Sequence, residues 1–229
     1  VNTWNVAKLV AAKDLRIEAR SRVITNQVLP FAAIAMVMFA FALDNENDAL
    51  LVQVAPGLIW LATLFSLLIL VQRSFAIETA DGAIDALRVA GIDPGGIFLG
   101  KAAALAAQLV VLETILIGAA VLLYHTEIRL GGVVLLVTTV LAATCGLAFV
   151  GTLYGGLVAG IKGRETLLPL LLLPVVAPVL IGATRALEAA FGTGKAVLAD
   201  GWPWLGLLIT FSAAFGVVGV LAFGPLLDE

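Results

Sequence analysis

The sequence predicts an all-α integral membrane protein. Its six transmembrane helices are joined by an N-terminal interfacial helix, a cytoplasmic coupling helix between spans two and three, and a short outer helical insert between spans five and six. Three observations predict this. Hydrophobic residues make up 62% of the chain and charged residues 13%, against roughly 45–50% and about 25% in a soluble domain. The apolar residues fall into six long runs, each sufficient for a hydrocarbon core of ~30 Å, which needs about 20 helical residues. None of the runs shows the alternating pattern of about ten residues that marks a membrane β-strand.

Residues 1–22 read as a helix at the membrane surface. Lys13, Arg16 and Arg20 cluster on one side, Glu18 can pair with Arg22 at i,i+4, and Trp4 suits headgroup depth. No cleavable signal peptide is expected, because the first apolar run begins near Val28 behind this charged stretch. The spans are expected at about Ile24–Leu43, Ala49–Val71, Ala102–Tyr124 and Gly132–Ala159. The fifth starts after Thr166 and carries Pro169, Pro174 and Pro178, and the sixth runs from about Trp204 to Phe223. Each proline removes an intrahelical hydrogen bond, so a kinked or broken fifth span is expected. Between these last two spans, residues 184–203 form the outer insert, with a helical piece over Thr184–Phe191 ended by Gly192. Together the elements make one transmembrane domain over residues 1–229.

Basic residues set the orientation. The N-terminus and the even-numbered connections hold Lys8, Lys13, Arg16, Arg20, Arg22, Arg73, Arg88, Lys101, Lys162 and Arg164. The odd-numbered connections hold Arg129, Arg185 and Lys195, beside Asp44, Glu46, Asp48 and Glu127. The positive-inside rule then puts both termini in the cytoplasm.

Residues 74–96 contain the one long segment that is both charged and regular. On a helix over Phe75–Ala90, spacings of three, four and three put Glu78, Asp81, Asp85 and Arg88 on one face, opposite Ala76, Ile77, Ala80, Ile84 and Leu87. Gly91 and Asp93-Pro94 close it. An acidic face between two spans fits a docking element for a cytoplasmic partner; a solvated surface is the alternative.

Several motifs are excluded or weighed. Gly95-Gly-Ile-Phe-Leu-Gly100-Lys101-Ala102 has phosphate-loop spacing, but Ala102 stands where a hydroxyl should hold magnesium, and the segment leads into a span. Gly192-Thr-Gly-Lys195 lacks the leading glycine. No nucleotide site is expected on this chain, nor a catalytic triad, and no basic tract with interleaved aromatics suggests nucleic acid. Glu113 sits mid-span, where an ionisable side chain costs about 2.5–3.5 kcal/mol on insertion scales. It is either a functional carboxylate on a subunit interface or substrate path, or a neutral group hydrogen-bonded to a neighbouring helix. His125, the single histidine, is a weak candidate for a haem ligand, and no metal site is expected. Cys145 reads as a packing residue. Gly151 and Gly155, then Gly156 and Gly160, form G-x-x-x-G spacings that bring helices close.

Two stretches carry a family resemblance: Asp14-Leu-Arg-Ile-Glu18-Ala-Arg20, and Phe75-Ala-Ile-Glu78 followed by Gly82-Ala-Ile-Asp85-Ala-Leu87 and closed by Lys101. With the six spans, they resemble the membrane subunit of an ABC-2 type exporter and, more closely, the CcmB family, the haem-exporter B subunits of bacterial cytochrome c maturation. The resemblance covers essentially the whole length. It implies a non-catalytic permease subunit in the bacterial plasma membrane, with ATP bound by a separate cytoplasmic ABC ATPase subunit and with a second copy of itself. A haem-handling membrane protein, a small accessory subunit and a periplasmic haem chaperone are implied as further partners, with haem as the implied cargo. ABC-2 transport of a lipid or drug, or a non-transporting scaffold of a haem lyase complex, remain open alternatives.

Overall fold

The computed structural model describes residues 2–43, 48–80, 91–126, 128–161, 163–193 and 195–228. Among the described residues there is no strand. Helix α1 spans Thr3–Ser21 and is capped by Asn2, whose side chain accepts from Trp4 N at 3.3 Å. It ends at Arg22, which takes the left-handed conformation with φ 52°. One π-helical turn, Ile24–Val28, leads into α2, Leu29–Leu43. Then follow α3 (Asp48–Ala80), α4 (Pro94–Leu123), α5 (Val133–Val158), α6 (Arg164–Phe191) and α7 (Leu198–Asp228). Among the described residues, six helical segments are long and apolar enough to cross a membrane.

The expected spans are all present, and the differences lie at their ends. Helix α3 does not stop near Val71; it runs unbroken to Ala80. Past Pro56 and Gly57 nothing in its sequence interrupts a helix, and Gln72-Arg73-Ser74 only changes its polarity. Phe75–Ala80 is therefore the polar extension of the span-two helix rather than the start of a separate one. Helix α4 begins eight residues before the expected Ala102, at Pro94. There Asp93 caps it, accepting from Gly95 N and Gly96 N at 3.3 Å each, and Pro94 occupies the first turn, where its missing N–H costs nothing.

Span five stays helical through Pro169, Pro174 and Pro178. Pro169 cannot donate to the carbonyl of Glu165 four residues back. Instead, Gln72 Nε2 of α3 donates to that oxygen at 3.2 Å, a side chain re-satisfying a freed backbone group. Thr184–Phe191 forms the last turns of the same α6, ended by Gly192 with φ 69°. The next helix begins at Leu198, where Asp200 Oδ2 accepts from Val197 N at 3.2 Å. The segment expected as an outer insert is thus divided between two span helices and a short connection.

Helix α5 lies in the middle of the bundle, packed on α3, α4, α6 and α7. Lipid tails are as apolar as Leu, so close packing rather than exclusion from water holds such helices together. The first glycine pair shows this: a Cβ on Gly151 would stand 2.9 Å from Val71 Cγ2, and one on Gly155 would meet Phe75 Cδ2 at 2.6 Å, so both seat α5 on α3. Gly156 instead faces Phe223 of α7, where a Cβ would come within 2.7 Å. Gly160 faces open space. Phe98 is fully buried between Phe149 and Phe223, with ring centroids 5.8 and 5.5 Å away. Phe41, Leu122 and Leu221 point outward, more than 70% exposed, as suits a surface solvated by lipid.

Candidate functional site: a buried charge quartet

The charged residues of the chain are not spread evenly over its polar end. Four of them, from three helices, close a ring. Lys13 Nζ of α1 lies 2.6 Å from Glu78 Oε1 of α3 and 3.1 Å from its neighbour Asp14 Oδ1. Lys101 Nζ of α4 lies 3.0 Å from Glu78 Oε2 and 3.2 Å from Asp14 Oδ2. Each lysine meets both carboxylates and each carboxylate meets both lysines, so the formal charge sums to zero. Lys101 also donates to Ser74 Oγ at 3.0 Å and stands 4.7 Å from the centroid of the Phe75 ring. Its contact with Glu78 Oε2 is electrostatic rather than a directed hydrogen bond, since that oxygen has no hydrogen-bond partner.

Burial makes this ring consequential. The side chains of Lys101, Glu78 and Asp14 are 3%, 5% and 11% exposed; that of Lys13 is 41% exposed. Away from water a charge persists only when paired. Burial alone would lower the Lys13 pKa. The hydrogen bond to Glu78 and the attraction of Asp14 and Glu78 outweigh it and hold the ammonium above its ordinary value. A cleft of about 170 Å³ opens beside the ring, with Ile17, Arg73, Gln108 and Thr152 among its walls.

Local sequence brings α1 to this place. Val6, Ala7 and Val10 are its buried residues, and they sit against Gly96 and Gly100 of α4. A Cβ on Gly96 would lie 2.7 Å from Val6 Cβ; one on Gly100 would lie 2.6 Å from the Ala7 carbonyl oxygen and 2.7 Å from Val10 Cβ. The glycines that imitate a phosphate loop are thus a seat for the N-terminal helix, and the lysine after them is its electrostatic latch. Glu18, the other acid of α1, caps the following segment by accepting from Ile24 N at 2.7 Å.

Of the four residues predicted to share an acidic face, Glu78 points inward and is taken up within the chain. Asp81, Asp85 and Arg88 lie outside the described residues, as do Gly82, Ile84 and Leu87 of the same stretch. Glu113 is fully buried between α4 and α5, and Thr144 Oγ1 lies 2.6 Å from its Oε2. The same hydroxyl stands 2.6 Å from the Val140 carbonyl oxygen. Glu113 therefore touches a neighbouring helix of its own chain. His125 is exposed at the end of α4 with φ 52°, beside a Tyr124 whose hydroxyl donates to Met36 O at 2.7 Å. Among the described residues no group of His, Cys, Asp and Glu is placed to hold a metal. Cys145 is half-buried and lines an apolar groove with Trp4, Ala7, Ala103 and Phe149. Sequence reasoning missed Lys13, Lys101, Ser74 and the Gly96–Gly100 seat. The available signal was Lys101 itself, a lone lysine at the entry of an apolar span, which requires a partner.

Residues 5–227 match the family model described as CcmB protein. Heme exporter protein B of Rhodobacter capsulatus is 28% identical over 186 residues, covering 81% of this chain and 84% of the relative. The protein of the same name from Haemophilus influenzae is 26% identical over 221 residues, 95% and 90% of the two chains. That from Escherichia coli K12 is 29% identical over 187 residues, 82% of each. The match spans α1 through α7, including all four residues of the charge ring, and with six membrane-length helices the chain belongs to the CcmB family of membrane proteins.

Proposed function

We propose that this chain is the membrane subunit of an ABC transporter complex in cytochrome c maturation. In that complex it couples ATP hydrolysis by a separate ATPase subunit to export of haem, or to release of a haem-loaded periplasmic chaperone. Haem enters as cargo from the names of the relatives. The basic residues around α1 and the α3–α4 connection favour the orientation with both termini in the cytoplasm of a bacterial cell bounded by this plasma membrane. The partners in this reading are the ATPase, a second copy of this chain, a haem-handling membrane protein, a small accessory subunit and the chaperone.

The observation that carries the coupling is the charge ring. It ties together the helices that flank residues 81–90 and adds α1 as a third strut. A push on that connection by a closing ATPase dimer is then passed to spans two and three as one body. In this reading Asp81, Asp85 and Arg88 meet the ATPase, while Glu78 holds the root of the connection. Small displacements at such a root become large ones when the packed elements move as rigid pieces.

Reversing charge at Asp81 and Asp85 tests the docking half: membrane insertion stays intact, while ATPase association and cytochrome c maturation fall together. Full assembly and maturation in that double variant contradicts it. Purified complex that delivers a lipid or drug, and no haem, replaces the cargo while leaving the coupling scheme in place.

A further inference from the structure

We infer that the exposed face of α1 next to the first span is a binding surface for anionic phospholipid headgroups. The inference starts from how α1 sorts its charges. Its two acids, Asp14 and Glu18, are turned inward and occupied, one in the charge ring and the other on the backbone N–H of Ile24. Lys13 faces the same way. Every other basic residue of the segment, Lys8, Arg16, Arg20 and Arg22, is exposed. None of these four is in an ion pair among the described residues. The outward face is therefore purely cationic, although the segment as a whole is mixed.

Position selects the partner. Arg16, Arg20 and Arg22 fill the last two turns before Ile24, where the first membrane-length helix begins. Chain connectivity holds them near the level at which lipid headgroups start, and arginine cannot sit in the hydrocarbon without a partner. A phosphate diester matches the planar donor fork of a guanidinium. Leu9 and Leu15, 69% and 39% exposed, and Trp4, 59% exposed with Lys8 Nζ 5.8 Å from its ring, supply the apolar and aromatic component of an interfacial helix. A cluster of basic residues directly beside a span gains from each charge near an anionic surface, about fivefold in lipid preference per residue.

The test uses the full-length chain in nanodiscs of phosphatidylcholine containing phosphatidylglycerol, with spin-labelled forms of each lipid as probes. The wild type is expected to immobilise the phosphatidylglycerol probe severalfold more than the phosphatidylcholine probe, with the preference collapsing between about 0.05 M and about 1 M salt. Arg16→Gln/Arg20→Gln/Arg22→Gln is expected to bring it close to one, while Lys195→Gln, in the connection between α6 and α7, leaves it unchanged. If the triple variant is poorly folded, the single variants Arg16→Gln and Arg20→Gln decide, each expected to lower the preference where Lys195→Gln does not. A preference that survives high salt, or that the folded triple variant retains, overturns the inference. So does a triple variant with unchanged lipid preference that, when the complex is purified in parallel, has lost a protein subunit, since the face then docks a protein.

Discussion

Lys101 and Glu78 meet at 3.0 Å with almost no solvent access, although one opens a membrane span and the other closes the polar tail of the preceding one. Asp14 and Lys13 complete their coordination from a third helix. Four charges kept together at one buried joint resist independent movement of the three helices, because moving any one of them strips buried charges of partners.

Removing one member is therefore costlier than removing a pair. Lys101→Met leaves Glu78 and Asp14 sharing a single ammonium and should destabilise the folded chain by about 3–5 kcal/mol. Lys101→Met/Glu78→Gln should cost less than the sum of the two single changes. Unfolding in mixed micelles, read as a double-mutant cycle, measures this; strict additivity would place the two groups outside one network.

The seat of α1 depends on two missing side chains. Gly100→Val pushes a Cβ into the Ala7 carbonyl, and an overpacked contact of this kind typically costs about 1–3 kcal/mol. It should detach α1 and speed trypsin cleavage after Lys8 and Lys13, which needs the helix to open. Gly160→Ala, at a glycine with open space around it, should leave stability within about 0.5 kcal/mol of wild type. Equal trypsin sensitivity in the two variants contradicts the packing account.

The ring also has a pH signature. Lys13 has a folded pKa above its ordinary value because Glu78 and Asp14 outweigh the effect of its burial. A raised cationic pKa contributes stability fully below the unfolded value of about 10.4 and loses it as pH rises through the folded value. Trypsin-independent reporters of α1 docking, such as a fluorophore pair on α1 and α4, should show release only in strongly alkaline solution. Lys13→Arg should shift that release upward, and Lys13→Met should remove this contribution at every pH.

Glu113 behaves as a hydrogen-bonding group between α4 and α5. The Thr144 hydroxyl carries one hydrogen and faces two acceptors at 2.6 Å, Val140 O and Glu113 Oε2, an arrangement that a donating group at position 113 satisfies. Glu113→Gln should therefore insert and fold nearly as the wild type does, whereas Glu113→Lys, which brings a charge without an acceptor partner, should insert measurably less well. Quantitative membrane-insertion assays separate the two; a Gln variant as defective as the Lys variant would point to a required negative charge.

What the sequence made legible follows from physics that is local. Hydropathy runs located the six spans, Gly192 ended α6 as a left-handed cap should, and Asp93-Pro94 marked a boundary that proved to be the start of α4. The joint was not legible because Lys13 and Glu78 are 65 positions apart and Lys101 and Asp14 are 87 apart, separations that no periodicity reports. Helical spacing predicted one face for Glu78, Asp81 and Asp85 but could not say which way Glu78 turns, and it turns inward to Lys13 and Lys101. The prolines of α6 suggested a kink or break, yet the helix runs on, and the carbonyl freed by Pro169 is taken by Gln72 of another helix, again a contact invisible along the chain. The glycines before Lys101 were recognised as unfit for phosphate, yet their use as a helix seat emerged only with α1 in place.

In the proposed coupling, the ring makes the connection over residues 81–90 and spans two and three move together. The most direct measurement is haem delivered to the periplasmic chaperone per ATP hydrolysed, in reconstituted complex carrying Glu78→Gln and matched for assembly. Loosening the joint should leave ATP hydrolysis within about twofold of wild type while delivery per ATP falls at least about tenfold, a loss of roughly 1.4 kcal/mol in coupling. An unchanged ratio, with hydrolysis and delivery falling in step or not at all, would contradict it.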